Sequence, residues 1–306
     1  MRVKQITVIS GKGGTGKTTL TASFAALAAK KVLADCDVDA ADLHLILNPQ
    51  ILQRTPFYGG KVARIDPERC SRCGLCEQAC RFDAIHGYQV DEVACEGCGL
   101  CYHLCPEKAV ELRTRVAGEW YLSESRYGPV CHARLRAGEE NSGKLVALVR
   151  NQAKRLAEQK ELDYVLIDGP PGVGCPVISS ITGVDLVVVV TEPTVSGIHD
   201  LQRVLQVASQ FQVPALVVIN KSDINPENSA QIEAFCRRNG VPVAGKIPFD
   251  PVVVEALLRR RPVVEFVREG VGEIHRRIWR KVEAYASQLA TGEPQAPGAA
   301  HGTGRP

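Results

Sequence analysis

The chain has little net charge: 37 Lys and Arg against 34 Asp and Glu leave a formal +3 over 306 residues. That excludes the broad basic field with which a protein attracts nucleic acid or an anionic membrane surface, so neither is expected as a partner. Long apolar runs are also missing. The first residues, Met-Arg-Val-Lys-Gln, lead at once into a strand pattern, with no stretch suited to a signal peptide or a membrane span. A cytoplasmic location is therefore expected. Disulfides are rare in that compartment, so the 12 cysteines read as metal or cluster ligands rather than cross-links. The 45% of hydrophobic residues suffices for a substantial core, in one large domain or two smaller ones.

The hydrophobic pattern predicts an α/β fold, a mainly parallel sheet flanked by helices. A strand over residues 5–10, a glycine-rich loop, an Ala-rich helix near 17–30 and a strand over 32–37 form half of a parallel unit. The alternation then breaks. It resumes after about residue 120, with helices near 143–160, 197–210 and 226–239 and strands over 164–168, 185–190, 215–220 and 241–247. Short, nearly continuous Val/Ile/Leu runs between helices are the signature of strands covered on both faces. The expected domains are residues 1–59 and 115–290 for the α/β part, an insertion over 60–114, and a disordered Gly/Pro/Ala-rich tail over 291–306. Residues 272–289 place Ile274, Ile278, Val282 and Ala286 on one helical face ringed by arginines. A helix that closes the domain is expected there, with a membrane-surface helix as the alternative.

Inside the insertion the spacing is Cys70-x2-Cys73-x2-Cys76-x3-Cys80, then Cys95-x2-Cys98-x2-Cys101-x3-Cys105-Pro106. The halves repeat at an offset of 25 residues and share Gly74/Gly99, Leu75/Leu100 and Ala84/Ala109, which marks an internal duplication. The block resembles bacterial-type two-cluster ferredoxins, in which three thiolates of one half and a fourth from the other hold each cluster. The resemblance implies two 4Fe-4S clusters, one on Cys70, Cys73, Cys76 and Cys105, the other on Cys95, Cys98, Cys101 and Cys80. Zinc is the competing reading, but it has no need of three closely spaced cysteines twice over. Arg81 departs from the pattern, standing where that family has proline.

The loop Ser10-Gly-Lys-Gly-Gly-Thr-Gly-Lys-Thr-Thr19 fits two templates. As Gly11-x-Gly13-x-x-Gly16 it could hold a dinucleotide, with Asp35 or Asp37 on the ribose. As Gly11-x4-Gly16-Lys17-Thr18 it is a phosphate loop. Lys17 supplies charge for the β and γ phosphates and Thr18 a hydroxyl for Mg2+, neither of which a dinucleotide turn needs. Asp168 ends an apolar strand and precedes Gly-Pro-Pro-Gly-Val-Gly174, matching a Walker B carboxylate and a mobile switch. The phosphate-loop reading is the better supported.

With Lys12 the loop resembles the deviant Walker A of the MinD, ParA and nitrogenase iron protein superfamily. The resemblance implies that Gly11, Gly13, Gly14, Thr15, Gly16, Lys17, Thr18 and Thr19 cradle ATP, and that Lys12 reaches the nucleotide of a second copy in a homodimer. It further implies that Asp37, in Asp35-Cys-Asp37-Val-Asp39, orients the attacking water. Asp168 would hold Mg2+ through water, and residues 169–174 would sense the γ-phosphate. Asn220 and Lys221 of Asn220-Lys-Ser-Asp223 and Pro248 of Ile247-Pro-Phe-Asp250 would flank the base. Asn-Lys-x-Asp also reads guanine in GTPases, so adenine rests on the family alone. The stretches Glu140-Asn-Ser-Gly-Lys-Leu145 and Thr191-Glu-Pro-Thr-Val-Ser-Gly-Ile-His-Asp200 resemble a MinD-like subgroup with an inserted ferredoxin domain.

Cys36 and Cys236 read as small buried hydrophobes. Cys175, after the second switch, and Cys131, beside His132, are candidates for an accessory cluster or a substrate thiol. The resulting expectation is a Mg2+-dependent ATPase that couples nucleotide state to electron transfer toward an unidentified redox or cluster-accepting protein. Cluster assembly or delivery, and a MinD-like positioning or scaffold role, are the alternatives. In a chain of this length, the glutaminase domain that accompanies amidotransferases sharing this nucleotide fold is not expected.

Overall fold

The computed structural model describes residues 2–136 and 142–291. Glu140 and Asn141 of the stretch quoted above, and the tail expected to be disordered apart from Thr291, lie outside the described residues. In chain order the elements are β1 (Lys4–Ser10), α1 (Lys17–Leu27), β2 (Lys31–Asp35), α2 (Leu43–Leu47), β3 (Gln50–Ile65), α3 (Leu75–Ala79), β4 (Ile85–His86) and β5 (Gln89–Val90). There follow α4 (Leu100–Leu104), β6 (Val110–Ser125), β7 (Gly128–Leu135), α5 (Ser142–Gln159), β8 (Tyr164–Pro171), α6 (Cys175–Ile181), β9 (Leu186–Thr191) and α7 (Val195–Gln210). The chain ends with β10 (Ala215–Asn220), α8 (Pro226–Arg238), β11 (Val243–Ile247), α9 (Val252–Leu258), α10 (Val263–Phe266) and α11 (Val271–Thr291).

Two compact units share these elements, and their boundaries fall within β3, β6 and β7. Among the described residues, the first comprises residues 2–53, Tyr121–Ala133 and 142–291; the second comprises Arg54–Trp120 and residues 134–136.

In the first unit the strands lie in the order β11-β10-β9-β1-β8-β2-β7-β6. The pairs from β11 through to β7 are parallel. β1 and β9 show why: six of seven positions in β1 and all six in β9 are buried, as strands with helices on both faces must be. Helix starts follow local chemistry. The Thr194 hydroxyl accepts from Gly197 N (3.0 Å) to cap α7, and Asn225 accepts from Asn228 N (2.9 Å) to cap α8, with Pro226 at the first helical position. In α11, Ile278, Trp279, Val282 and Ala286 are buried in the core that contains Phe24, whose ring lies 5.1 Å from that of Trp279. Its apolar face is thus covered by the unit's own core, as expected of a closing helix. No helix among the described residues is long and apolar enough to cross a membrane.

The second unit holds the neighbouring strands β3 and β6, the β4–β5 hairpin and all eight repeated cysteines. The 25-residue repeat is visible in its backbone. Gly74 and Gly99 both have φ near +80° and cap α3 and α4. Cys70 N donates to Asp66 O as Cys95 N does to Asp91 O, and the halves also exchange bonds: Asp66 N to Ala109 O, Asp91 N to Ala84 O (2.8 Å each).

Candidate functional site

The carboxyl ends of β1, β2, β8, β9, β10 and β11 all point to one edge of the parallel sheet, the edge at which open α/β sheets bind ligands. The residues assigned above to the nucleotide lie in the carboxyl-terminal half of one of these strands, in the loop that follows it, or in the first turn of α1. The glycine loop joins β1 to α1, whose first N–H groups have no intrahelical acceptor and face an incoming anion. Gly16 has φ +90°, and a Cβ there would strike the Asn220 amide. This position admits no other residue without displacing Asn220, whose Nδ2 donates to Thr15 O (2.8 Å) and ties β10 to the loop.

Lys17 lies inside the pocket rather than extended into solvent. Its ammonium is 2.8 Å from Asp37 Oδ2 and 3.9 Å from Asp168 Oδ2, and it contacts the Thr18 hydroxyl at 3.3 Å. Burial pulls its pKa down, but the Asp168 and Asp37 carboxylates outweigh that and hold it above the ordinary value. Asp168 is fully buried and accepts from Thr21 Oγ1 at 3.0 Å. Burial raises its pKa, and Lys17 opposes the rise. Asp35 is driven well above the carboxylate range, by burial first and by Asp168 second. Its oxygens accept from Asp37 N (3.2 Å) and Leu43 N (3.3 Å), so Asp35 shapes the segment while Asp37 reaches Lys17.

Two buried polar atoms here, Asp168 Oδ2 and Thr15 Oγ1, have no hydrogen-bond partner. Buried polar atoms are almost always paired. An orphaned carboxylate oxygen beside a threonine hydroxyl and a lysine is the donor set that a hydrated divalent cation and a phosphate chain would complete.

Lys12 is directed along its own chain. Its ammonium lies 3.7 Å from Glu192 Oε2 and 3.3 Å from each of the Thr194 and Ser196 hydroxyls. Glu192 also binds Lys221 Nζ at 2.5 Å, so one half-hidden carboxylate serves two lysines. This junction had no signal in the sequence beyond the quoted Thr-Glu-Pro-Thr stretch.

Between the loop and β11 lies a largely apolar cavity of about 210 Å³, lined by Gly16, Asn220, Pro248, Phe249 and Val253 among others. An apolar lining with a few polar groups is what a flat ring system takes. Asp223, the last residue of the Asn-Lys-x-Asp stretch, accepts from Phe249 N at 2.6 Å through Oδ1. That oxygen is thereby engaged with backbone. His275 also lines the cavity, a contribution that sequence could not show, since its partner Ser23 (Nδ1 to Oγ, 2.8 Å) is 252 residues away.

Burial holds His275 at about 4, with Arg276 adding to the effect, and burial next to His44 likewise holds His132 at about 4. Both folded values lie below the roughly 6.5 of an unfolded histidine. The unfolded chain therefore binds the extra protons. Stability from these groups is complete above pH 6.5 and is lost as pH falls toward 4, by up to about 1.4 kcal/mol per pH unit per histidine. Urea unfolding between pH 7 and 4.5 is expected to show a shallower acid slope for His275→Gln than for the wild type. Equal slopes would remove His275 from the account.

In the second unit two cavities divide the eight cysteines. One is lined by Cys70, Cys73, Cys76 and Cys105, the other by Cys80, Cys95, Cys98 and Cys101. Backbone N–H groups of Ala63, Ala84 and Ala109 donate to the sulfurs of Cys95, Cys80 and Cys105 at 3.3–3.5 Å. Gly97 (φ +61°) passes so close to Lys61 O that a Cβ would collide with it. Among the described residues, no three Cys, His, Asp or Glu side chains gather round a point that could hold a single metal ion.

Of the remaining cysteines, Cys36 and Cys236 are buried. Cys131 is buried too, and burial pushes its thiol up to about 12. Its neighbour His132 bonds Ser123 Oγ through Nε2 at 2.9 Å and stacks on Tyr121. Cys175 is exposed at the start of α6.

The family model described as the CobQ/CobB/MinD/ParA nucleotide binding domain matches residues 6–263. An uncharacterized protein of Methanocaldococcus jannaschii is 37% identical over 230 residues, 74% of this chain and 81% of that protein. The septum site-determining protein MinD of Bacillus subtilis is 23% identical over 299 residues, 95% of this chain and 92% of its own. Among solved structures, MinD from Pyrococcus horikoshii in complex with Mg-ADP superimposes with a TM-score of 0.56 at 20% identity, covering 94% of this chain and 98% of that one. The cell division ATPase MinD of Pyrococcus furiosus gives 0.57 at 21% identity, covering 93% and 100%.

Proposed function

The chain belongs to the CobQ/CobB/MinD/ParA nucleotide-binding family, and we propose that it is a MinD-like ATPase, a nucleotide-dependent homodimeric switch whose second unit carries two 4Fe-4S clusters. One observation carries the ATPase reading: Lys17 enclosed by Asp37 and Asp168, beside two buried polar atoms, Asp168 Oδ2 and Thr15 Oγ1, that make no hydrogen bond. Thr18 and, through water, Asp168 would hold Mg2+, which neutralises phosphate charge. Asp37 orients water on the γ-phosphorus. The new P–O bond forms as the bond to the β–γ bridging oxygen breaks, and the water proton passes to the released phosphate. Negative charge on the leaving oxygen is met by Lys17 and by Lys12 of the second copy.

For adenine over guanine the support is the bond from Phe249 N to Asp223 Oδ1, which competes with the carboxylate contact that a guanine-reading motif requires. For the clusters, the support is the division of the cysteines into two sets of three plus one, each set around its own cavity. A single ion needs all its thiolates about 2.3 Å from one point, whereas a cubane takes four thiolates at four separate corners. Three cysteines of one half joined by a fourth from the other half, round one cavity, are the ligand set that a cubane takes. When bound, such a cluster stores one electron. The relatives favour a nucleotide switch more directly than electron transfer to a redox partner, and the electron-transfer reading rests on the cysteine cavities alone.

Light scattering after size exclusion tests the switch. The wild type is expected to double its mass with Mg-ATP and not with Mg-ADP, and Lys12→Ala is expected to bind nucleotide yet fail to dimerise. A mass independent of nucleotide in a form shown to bind ATP would overturn the reading.

A further inference from the structure

The second unit contains a groove of about 780 Å³ that neither the nucleotide nor the cysteines occupy. Arg64 from β3, Arg113 and Arg115 from β6, and Arg136 just beyond β7 all line it, against one carboxylate, Glu92, among its described lining residues. Arg113 and Arg115 are two apart on one strand and so share a face. Both are fixed in direction: Arg113 Nε and Nη2 donate to Glu111 Oε2 (3.1 and 2.9 Å), and Arg115 Nη1 donates to Glu92 O (2.6 Å) and Cys95 O (3.3 Å).

With Arg113 paired to Glu111 and with Glu92 in the lining, the four guanidiniums still leave a net positive charge on one concave wall, which an anion placed there would neutralise. A guanidinium held in direction, as Arg115 is through its Nη1, meets a carboxylate or phosphate at low entropic cost. The volume lies within the range of small-molecule sites. Part of the lining is apolar, as at Val62, and Ala63 lines both this groove and the cavity of Cys80, Cys95, Cys98 and Cys101.

We propose that this groove binds a small organic anion bearing two or more carboxylate or phosphate groups, seated beside the Cys95 loop. Calorimetric titration tests it on the full chain saturated with Mg-ADP, so that the phosphate loop is already filled. The probes are propane-1,2,3-tricarboxylate and inorganic pyrophosphate, each with excess Mg2+. At least one is expected to bind with unit stoichiometry. The one that binds assigns the headgroup, and binding of both assigns recognition by charge alone. Arg64→Gln with Arg136→Gln is expected to weaken binding about tenfold or more. Glu92→Gln, which removes the carboxylate that lines the groove, is expected to strengthen it, a gain that misfolding cannot mimic. Silence with both probes at millimolar concentration, or affinities unchanged in all variants, would overturn the proposal.

Discussion

Asp37→Asn is expected to lower ATP turnover by about 10²–10⁴-fold, the range for loss of a proton-accepting or water-orienting group, while nucleotide affinity stays within a few-fold of wild type. The substitution keeps the side-chain volume and removes one negative charge from a pocket that already gathers Asp35 and Asp168. Lys17 retains Asp168 at 3.9 Å, so its ammonium stays in place to meet phosphate. Asp35→Asn is the informative control. Its oxygens accept from two backbone N–H groups, so its replacement is expected to loosen the segment before α2 and lower stability without a selective effect on turnover. Steady-state phosphate release and equilibrium binding of a fluorescent ATP analogue separate the two quantities. Turnover by Asp37→Asn within a few-fold of wild type would reduce Asp37 to a partner that positions Lys17.

After anaerobic reconstitution the wild type is expected to hold about eight irons and eight sulfides per chain, and Cys105→Ala about four of each. The decisive point is which cluster is lost. Cys105 belongs by sequence to the second half, yet it lines the cavity of Cys70, Cys73 and Cys76. Cys80→Ala is expected to produce the converse loss, since Cys80 lines the cavity of Cys95, Cys98 and Cys101. EPR of the two variants after reduction should show two different single-cluster signals. One or two zinc ions per chain, with no sulfide, would sink the cubane reading. The same samples test electron coupling. A nucleotide-dependent shift of roughly 60 mV in either cluster would correspond to about 1.4 kcal/mol for one electron. Two unshifted potentials with ATP bound would leave the clusters uncoupled from nucleotide and favour the switch alone.

The parallel strands and the glycine loop were legible because each is local. β9 is a run of apolar residues, and the loop's residues follow one another without interruption. β3 and β6 were not read as strands. Both are 16 residues long, and β3 is mostly exposed, with Pro56, Gly59 and Gly60 in the middle of it, so it lacks both a buried run and a clean alternation. Within the site, the family resemblance singled out Asp37 over Asp35, but the residues alone gave no task to Asp35. The division of tasks between the two depends on where Leu43 N and Lys17 Nζ lie. The Glu192 junction and the Ser23–His275 bond join residues about 180 and 252 apart, and no periodicity encodes such distances.

The exchanged bonds from Asp66 to Ala109 and from Asp91 to Ala84 have a consequence for how the cysteine unit forms. Neither half completes its own backbone pairing, so neither is a folding unit by itself. A deletion or nick within 66–84 is expected to release hydrogen-exchange protection at 91–109 as well, and the converse. The duplicated segments then melt as one cooperative body, and a chain carrying a single copy of the motif would gain no stability until a second copy docked on it.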